Sequence, residues 1–416
     1  MEQSLDGKGF VEVASVNGTS WSTGSLPHGA TRSFRVRSWN QSGRSFPTEV
    51  LTGGTDHLGE TQALIVQGFD RLSRTVKGPD NPRDYVPRLA AALRRGARSS
   101  LAFDAASNEA VKLGRVALGA YDAVVWSLGE ESTQDETFDP QEQLYVSLYL
   151  ATGGALLVTG AEVGWDLDWL GSAADRAFFR NTLGATYLAD DANTYGLQAG
   201  LPGTVSDGVP AATFDDGSGP TYDVDYADVL APTTSNGVVC LRYANGLGAA
   251  VQTVSPSNGS RVLVFGLPLD TVLDEGAQAD LLQQSLAFLL PDRPLQGPNT
   301  VVMGQVAPFS LRMTSEANAP YLCAVSEATS PPVALPLGGL LPLRSGGLLQ
   351  ASLVPSPVFQ AFSGTLDAAG AAAPALLVPP LSALNGFEVF VAALTVDPAT
   401  ATERRVTNWL RVRLQL

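Results

Sequence analysis

The sequence of 416 residues holds only two cysteines, two histidines and three lysines, and each scarcity excludes something. Cys240 and Cys323 fall in segments assigned below to different domains, so this is no disulfide scaffold; two buried thiols suit it better than one bridge. His28 and His57 both lie near the start, which excludes a His-based triad or a His-rich zinc site from the remainder. Positive charge is almost all arginine and is outnumbered: 26 Lys+Arg stand against 41 Asp+Glu, a net charge of −15. That balance disfavours nucleic acid and anionic membrane surfaces as partners. No apolar run reaches the roughly 20 residues needed to span a bilayer. The opening MEQSLDGKGF also lacks the basic and apolar regions of a signal peptide.

What is present reads as folded and turn-rich: 44% hydrophobic residues with 42 Gly and 27 Pro. At roughly 100–200 residues per domain, the length allows two to four domains. Charge is unevenly distributed. Residues 121–195 carry 13 Asp/Glu against 2 Lys/Arg, whereas residues 71–115 carry 10 Lys/Arg against 4 Asp/Glu. From 295 to 416 the two signs balance, six against six.

Residues 1–55 alternate as strands do, in GFVEVASV and TRSFRVRSWN, broken at Asn17-Gly18 and Ser42-Gly43. They supply only half a sandwich, which leaves an apolar face uncovered and predicts further domains upstream. Residues 52–59 read as a linker. Residues 56–293 then alternate strand and helix. Continuous apolar strands are expected at 63–68, 123–128, 155–159 and 261–265. Helices are expected at 84–96, 139–152, 173–183 and 277–290, with Asp139 as N-cap and Pro140 at the first helical position. Residues 197–254 read as a β insertion. This pattern predicts a doubly wound parallel sheet. The tail, 294–416, reads as a compact β-sandwich, giving a multidomain α/β plus β chain.

Ligands of open α/β sheets bind beyond the carboxyl ends of the strands. After the expected strands come Asp70; then Glu130, Glu131, Asp135 and Glu136; then Glu162, Asp166 and Asp168; and, after a strand near Tyr187, Asp190 and Asp191. These ten carboxylates are expected to share one rim. Three readings follow. A hard cation, Ca²⁺ or Mg²⁺, would be held by oxygen ligands among Asp135, Glu136, Asp168, Asp190 and Asp191. Alternatively Glu130, Glu162 and Asp166 would act as general acid, base or nucleophile on a glycan. In the third, the carboxylates cap helices and sit solvated in loops. Asp70, Asn108, Glu131, Trp165 and Tyr195 are the candidate ligand-binding residues, with Trp165, Trp169 and Tyr195 able to stack on a sugar ring. Ser132 and Thr133 have no histidine to activate them and read as surface loop.

Several segments carry resemblances. SLPHGATRSFRVRSWNQSGRSFPTEVLTGGT resembles the last strands of a fibronectin type III domain through Leu26, Phe34 to Asn40, Gly43, Ser45 and Pro47, with Arg32 in place of the corner tyrosine. ALIVQGFDR, FDAASNEAV, YDAVVWSLGEEST, GGALLVTGAEVGWDL, LGATYLADDANTY and VLVFGLPLDT resemble a domain of secreted bacterial proteins labelled N-acetylmuramoyl-L-alanine amidase or xanthan lyase. The resemblance implies a flavodoxin-like fold similar to class I glutamine amidotransferases. That superfamily's nucleophilic Cys would fall on Ala161 or Glu162, and its His has no counterpart near Gly266-Leu267-Pro268. Glutamine amide hydrolysis is therefore not expected. FSGTLDAAGAAAPALLVPPL with NGFEVFVAALTVD resembles a carboxy-terminal module of secreted planctomycete proteins. Together these imply an extracellular or cell-surface chain and an accessory, non-catalytic module with polysaccharide or peptidoglycan as partner. A carboxylate-dependent hydrolase or lyase on the same substrates is the alternative.

Overall fold

The computed structural model describes residues 1–24, 26–27, 30–55, 62–71, 85–95, 102–133, 136–290, 294–298, 300–313, 316–329, 331–337, 340–407 and 409–416. His28 and His57 lie outside them. The chain divides into two compact units: Met1–Ser147, Ala155–Val254 and Arg261–Leu290 form the first; Leu148–Gly154, Ser255–Ser260 and Pro291–Leu416 form the second.

The first unit is organised on an eleven-stranded mixed sheet. Its strands lie in the order Gly237–Arg242, Gly248–Val254, Arg261–Phe265, Ala155–Gly160, Ala123–Gly129, Gln62–Gln67, Ala102–Ser107, Leu51–Gly54, Thr31–Arg35, Glu2–Ser4 and Val11–Glu12. The five from Arg261–Phe265 to Ala102–Ser107 are mutually parallel. Numbered along the chain, these five run 2-1-3-4-5. The order therefore reverses between Gln62–Gln67 and Ala123–Gly129, which opens a crevice at their carboxyl ends.

Every residue of Ala123–Gly129 and Ala155–Gly160 is buried, which is why both read as unbroken apolar runs. On one face Ile65, Val125, Leu157 and Leu263 pack with Val86, Leu89 and Leu93 of the helix Tyr85–Arg95 and with Leu282 and Leu286 of the helix Glu275–Leu289. Gln283 Nε2 donates to the Leu93 carbonyl at 2.8 Å and ties the two helices together. Trp126 packs on Phe138 at 4.9 Å and Phe138 on Phe178 at 5.4 Å. Asp139 opens the helix Pro140–Ala151 as expected. Its Oδ1 accepts from the Gln141 and Glu142 amides at 2.8 and 2.9 Å, while its own amide donates to Glu142 Oε2 at 2.9 Å. This is a reciprocal capping box.

Five placements differ from the sequence reading. Ala102–Ser107 is a sheet strand, although only Phe103 and Ala106 are buried in it and Asp104 faces solvent. Four of the strands within residues 1–55, Glu2–Ser4, Val11–Glu12, Thr31–Arg35 and Leu51–Gly54, continue the sheet, antiparallel, through Gly54 opposite Phe103, while Trp39–Asn40 and Gly43–Arg44 pair as a small hairpin of their own. Within 197–254, Gly237–Arg242 and Gly248–Val254 form the sheet's antiparallel far edge. Ala185–Ala189 pairs antiparallel with Val229–Pro232 outside the large sheet. The segment expected as one helix at 173–183 is a short α-helix, Ala173–Ala177, running into the π-helical turn Phe178–Leu183.

The second unit is predominantly β. A six-stranded sheet is centred on Glu388–Val396, flanked by Pro320–Ser326 and Leu410–Gln415. Val389, Val391 and Ala393 pack with Leu311, Ala307 and Leu376 from smaller sheets, whereas Ala392 and Leu394 pack with Leu341, Leu343 and Leu349. The central strand is thus covered on both sides, hence EVFVAALTV. Cys240 and Cys323 are both free and buried. No described helix is long and apolar enough to cross a membrane.

Candidate functional site

The turn after each of three adjacent parallel strands contributes to one constellation. After Gln62–Gln67, the Gly68 amide donates to the Ser127 carbonyl at 2.8 Å and leads into Phe69, Asp70 and Arg71. After Ala123–Gly129, Glu130 and Glu131 turn inward and are each 1% exposed. Gly129 makes this possible: at φ +52°, a Cβ there would lie 2.0 Å from the Phe69 ring. After Ala155–Gly160, the Ala161 amide donates to the Gly129 carbonyl at 2.7 Å, and the chain reverses at Glu162 with φ +60°. This is the sharp strand-to-helix turn that projects one side chain at the top of a sheet, with backbone strain held by its surroundings.

The carboxylates of these turns grip backbone N–H groups of neighbouring loops. Glu131 Oε2 accepts from the Asp70 and Arg71 amides at 2.7 and 3.2 Å. Glu130 Oε1 accepts from the Asp225 amide at 2.8 Å. Asp166 Oδ2 accepts from the Thr137 amide and hydroxyl at 3.0 and 2.7 Å. Asp168 Oδ2 accepts from the Tyr187 amide at 2.9 Å, and Arg180 Nε lies 2.6 Å from its Oδ1. Asp228 Oδ2 accepts from the Gly164 amide at 2.6 Å. Such bonds satisfy buried donors that would otherwise be orphaned where loops turn.

Glu162 is different. Its carboxylate accepts from the Ser132 hydroxyl, and Arg71 Nη1 stands 3.9 Å from its Oε1. The same guanidinium donates to the Glu130 carbonyl at 3.2 Å. Ser132 is 4% exposed with φ +100°, so it is not the surface residue expected from the sequence. The lack of a neighbouring histidine removed one role for it, but its burial follows from the inward turn after Gly129.

Electrostatics follow the burial. Burial pushes the Asp228 carboxyl well above the usual carboxylate range, against amide bonds from Gly164 and Trp165, with Glu162 and Asp190 adding to the rise. Asp190 is raised by burial and by Asp191. The Tyr187 phenol is raised by burial and by Asp190, Asp228 and Glu162. Burial pushes Glu142 up to about 7, opposed by hydrogen bonds from the Asp139 amide and the Asn108 side chain.

The expected site residues therefore separate. Asp70, Glu130, Glu131 and Glu162 come together at the carboxyl ends of three neighbouring strands. Asn108 opens the short helix Asn108–Lys112 after the strand beside them, and its side chain turns to Glu142. Of the five residues expected to ligate a cation, the four described ones do not assemble. Asp168 is engaged by Arg180 and Tyr187, Glu136 is exposed, and Asp190 and Asp191 follow a strand of the separate small sheet. Asp191 caps its own turn through the Asn193 amide at 2.7 Å. Asp135 lies outside the described residues, among which no group of three or more His, Cys, Asp or Glu is placed to hold a metal ion.

The aromatic expectation shifts by one partner. Trp165 and Trp169 stack with ring centroids 6.2 Å apart and planes 19° from parallel. The third ring is Tyr187, 6.2 Å from each. Tyr195 instead packs on Phe214 at 5.4 Å and donates to Asp223 Oδ1 at 2.8 Å. Arg71, Tyr187 and Asp228 belong to this region without having been expected as site residues, and Ser132 joins them from a segment expected at the surface. Only Arg71 carried a signal, as the first cation after a strand that ends against an acidic pair.

No protein-family model and no curated protein matches the chain. Among solved structures, it is similar to Escherichia coli alpha-2-macroglobulin activated by porcine elastase, with 14% identity, a TM-score of 0.20, and coverage of 49% of this chain and 17% of that one. The native conformation of the same protein gives 18% identity, a TM-score of 0.19, and coverage of 54% and 15%. The D00-D0 domain of intimin gives 11% identity, a TM-score of 0.17, and coverage of 55% and 98%. This chain thus spans about a sixth of the alpha-2-macroglobulin structures, and at these TM-scores the likenesses carry no argument.

Proposed function

We propose that this chain is a non-catalytic, accessory binding module of an exported, glycan-associated protein, and that it meets polysaccharide or peptidoglycan at the carboxyl edge of its parallel strands. The strand order 2-1-3-4-5 supports reading the first unit as flavodoxin-like, a fold whose ligands sit at that edge. The absence of Cys and His from the turn at Glu162 and from Gly266-Leu267-Pro268 supports the loss of amidotransferase chemistry. The strands of residues 1–55 that extend the large sheet lend no separate sandwich to the fibronectin type III resemblance. The observation that carries the reading is the engagement of Glu130, Glu131, Asp166 and Asp168 by backbone amides. Carboxylates held this way build a rigid anionic edge rather than a proton-transfer site. The test is a paired assay of the full chain, for binding and for turnover, on soluble polysaccharides and on peptidoglycan. Retention without product release is expected; reducing-end or muropeptide release would overturn the non-catalytic part, and no retention would overturn the binding part.

A second reading is favoured by Glu162 alone. It stands on a strained turn and is bonded to a side-chain hydroxyl, with an arginine 3.9 Å away. In this reading Glu162 is the base or nucleophile of a polysaccharide or peptidoglycan hydrolase or lyase. Glu162→Gln would then abolish turnover on the same substrates, and undiminished activity would remove the role.

A further inference from the structure

We infer that Trp165, Trp169 and Tyr187 form a stacking subsite for the pyranose rings of an uncharged glycan. The inference rests on the glycan-binding reading above and assigns it a place and a ligand class. Trp169 is 59% exposed, which for the largest apolar side chain marks a surface kept open rather than a core residue. The segment carrying both tryptophans, Trp165–Leu170, is π-helical, a rare geometry enriched at functional sites.

That segment is anchored from beneath. Asp166 binds Thr137, Asp168 binds the Tyr187 amide and Arg180, and Arg176 donates to the Asp168 and Trp169 carbonyls at 3.0 Å each. The backbone that carries the rings is thereby held before any ligand arrives, so less ordering entropy is lost on binding. The two indoles stack on each other 19° from parallel with a phenol ring beside both, so the ring offered to a ligand is the exposed Trp169, backed by half-buried Trp165 and Tyr187. The C–H faces of sugar rings are complementary to such π surfaces, and sugar hydroxyls are donors for carboxylates at their margin. Asp190 lies at that margin, and it acts on the Tyr187 phenol together with Asp228 and Glu162. The net charge of −15 disfavours uronate and sulfate and leaves neutral sugars as the ligand class.

The experiment is affinity electrophoresis of the full chain in gels containing laminarin, galactomannan or soluble chitin oligosaccharide as neutral probes, with polygalacturonate and heparin as anionic ones. At least one neutral probe is expected to retard the wild type. Trp169→Ala and Trp165→Ala are expected to weaken that retention about tenfold or more, the scale of one lost stacking contact. Thermal melts check that the variants fold, and a glycan-induced shift of tryptophan fluorescence in the wild type gives a readout independent of them. Retention undiminished in folded variants, with no fluorescence shift, would overturn the subsite while leaving glycan binding in place. Failure of the wild type to bind any glycan would overturn both. Retention by the anionic polymers alone, or a change in self-association of Trp169→Ala without glycan binding, would also overturn the subsite.

Discussion

The Ser132 hydroxyl donates a hydrogen bond to the Glu162 carboxylate, and both residues hold left-handed backbone, at φ +100° and +60°. Two adjacent turns are thus locked to each other by side chains whose own backbones resist the conformation. Ser132→Ala keeps the strained φ and removes a donor from a buried carboxylate, so unfolding in urea should show a loss of about 1–3 kcal/mol. Ser132→Gly removes the same donor but relieves the backbone, and should recover about 1 kcal/mol of that loss. Equal stability of Ser132→Ala and wild type would show that the bond contributes nothing.

The Glu142 carboxyl yields a pH dependence of defined sign. Burial raises it from 4.5 to about 7, so between those values the folded chain binds more protons than the unfolded one. Stability therefore falls as pH rises from about 4.5 to 7 and levels off above, by roughly 3 kcal/mol for a shift of this size. Asp139 works outside this window. Burial acts to raise it, but bonds from Lys112 and from the Glu142 and Gln141 amides hold it below its ordinary value, so its contribution is lost only in stronger acid. Chemical denaturation at half-unit steps should show the slope in the wild type and a flatter profile in Glu142→Gln. An unchanged slope in the variant would assign the titration elsewhere, with Asp228 the next carboxyl to test by Asp228→Asn.

Gly129 should tolerate no side chain. A Cβ at its φ of +52° would sit 2.0 Å from the Phe69 ring, and that ring is itself packed at 5.3 Å on both Tyr85 and Tyr222. Gly129→Ala is expected to lower stability by more than about 3 kcal/mol, or to prevent folding, as judged by circular dichroism and soluble yield. A folded variant with wild-type melting would mean that Phe69 moves aside freely.

The parts of this fold that the sequence displays are those where both faces of a strand are covered. ALIVQ, AVVWSL, ALLVT and RVLVF need no context, because parallel strands between helical layers are apolar at consecutive positions. AFDAAS escapes notice because its burial is intermittent, and without it the reversal of strand order next to Glu130 is invisible. The acidic turns were legible as a cluster but not as amide acceptors. Glu130 meets the Asp225 amide 95 residues away, and Glu131 meets Asp70 at a separation of 61, distances at which no local pattern operates. Tyr187 and Tyr195 have similar acidic surroundings in sequence, and only the antiparallel pairing of Ala185–Ala189 decides which reaches the tryptophans.

The amide-gripping carboxylates of the first unit also dictate how this scaffold can be re-engineered. Because Glu131 fastens the Asp70–Arg71 turn and Glu130 fastens the chain at Asp225, none of these loops is an independent cassette. Lengthening or transplanting one would release an acid meant for another. Grafts that carry the acidic residue together with the segment it clasps are the ones that preserve the edge.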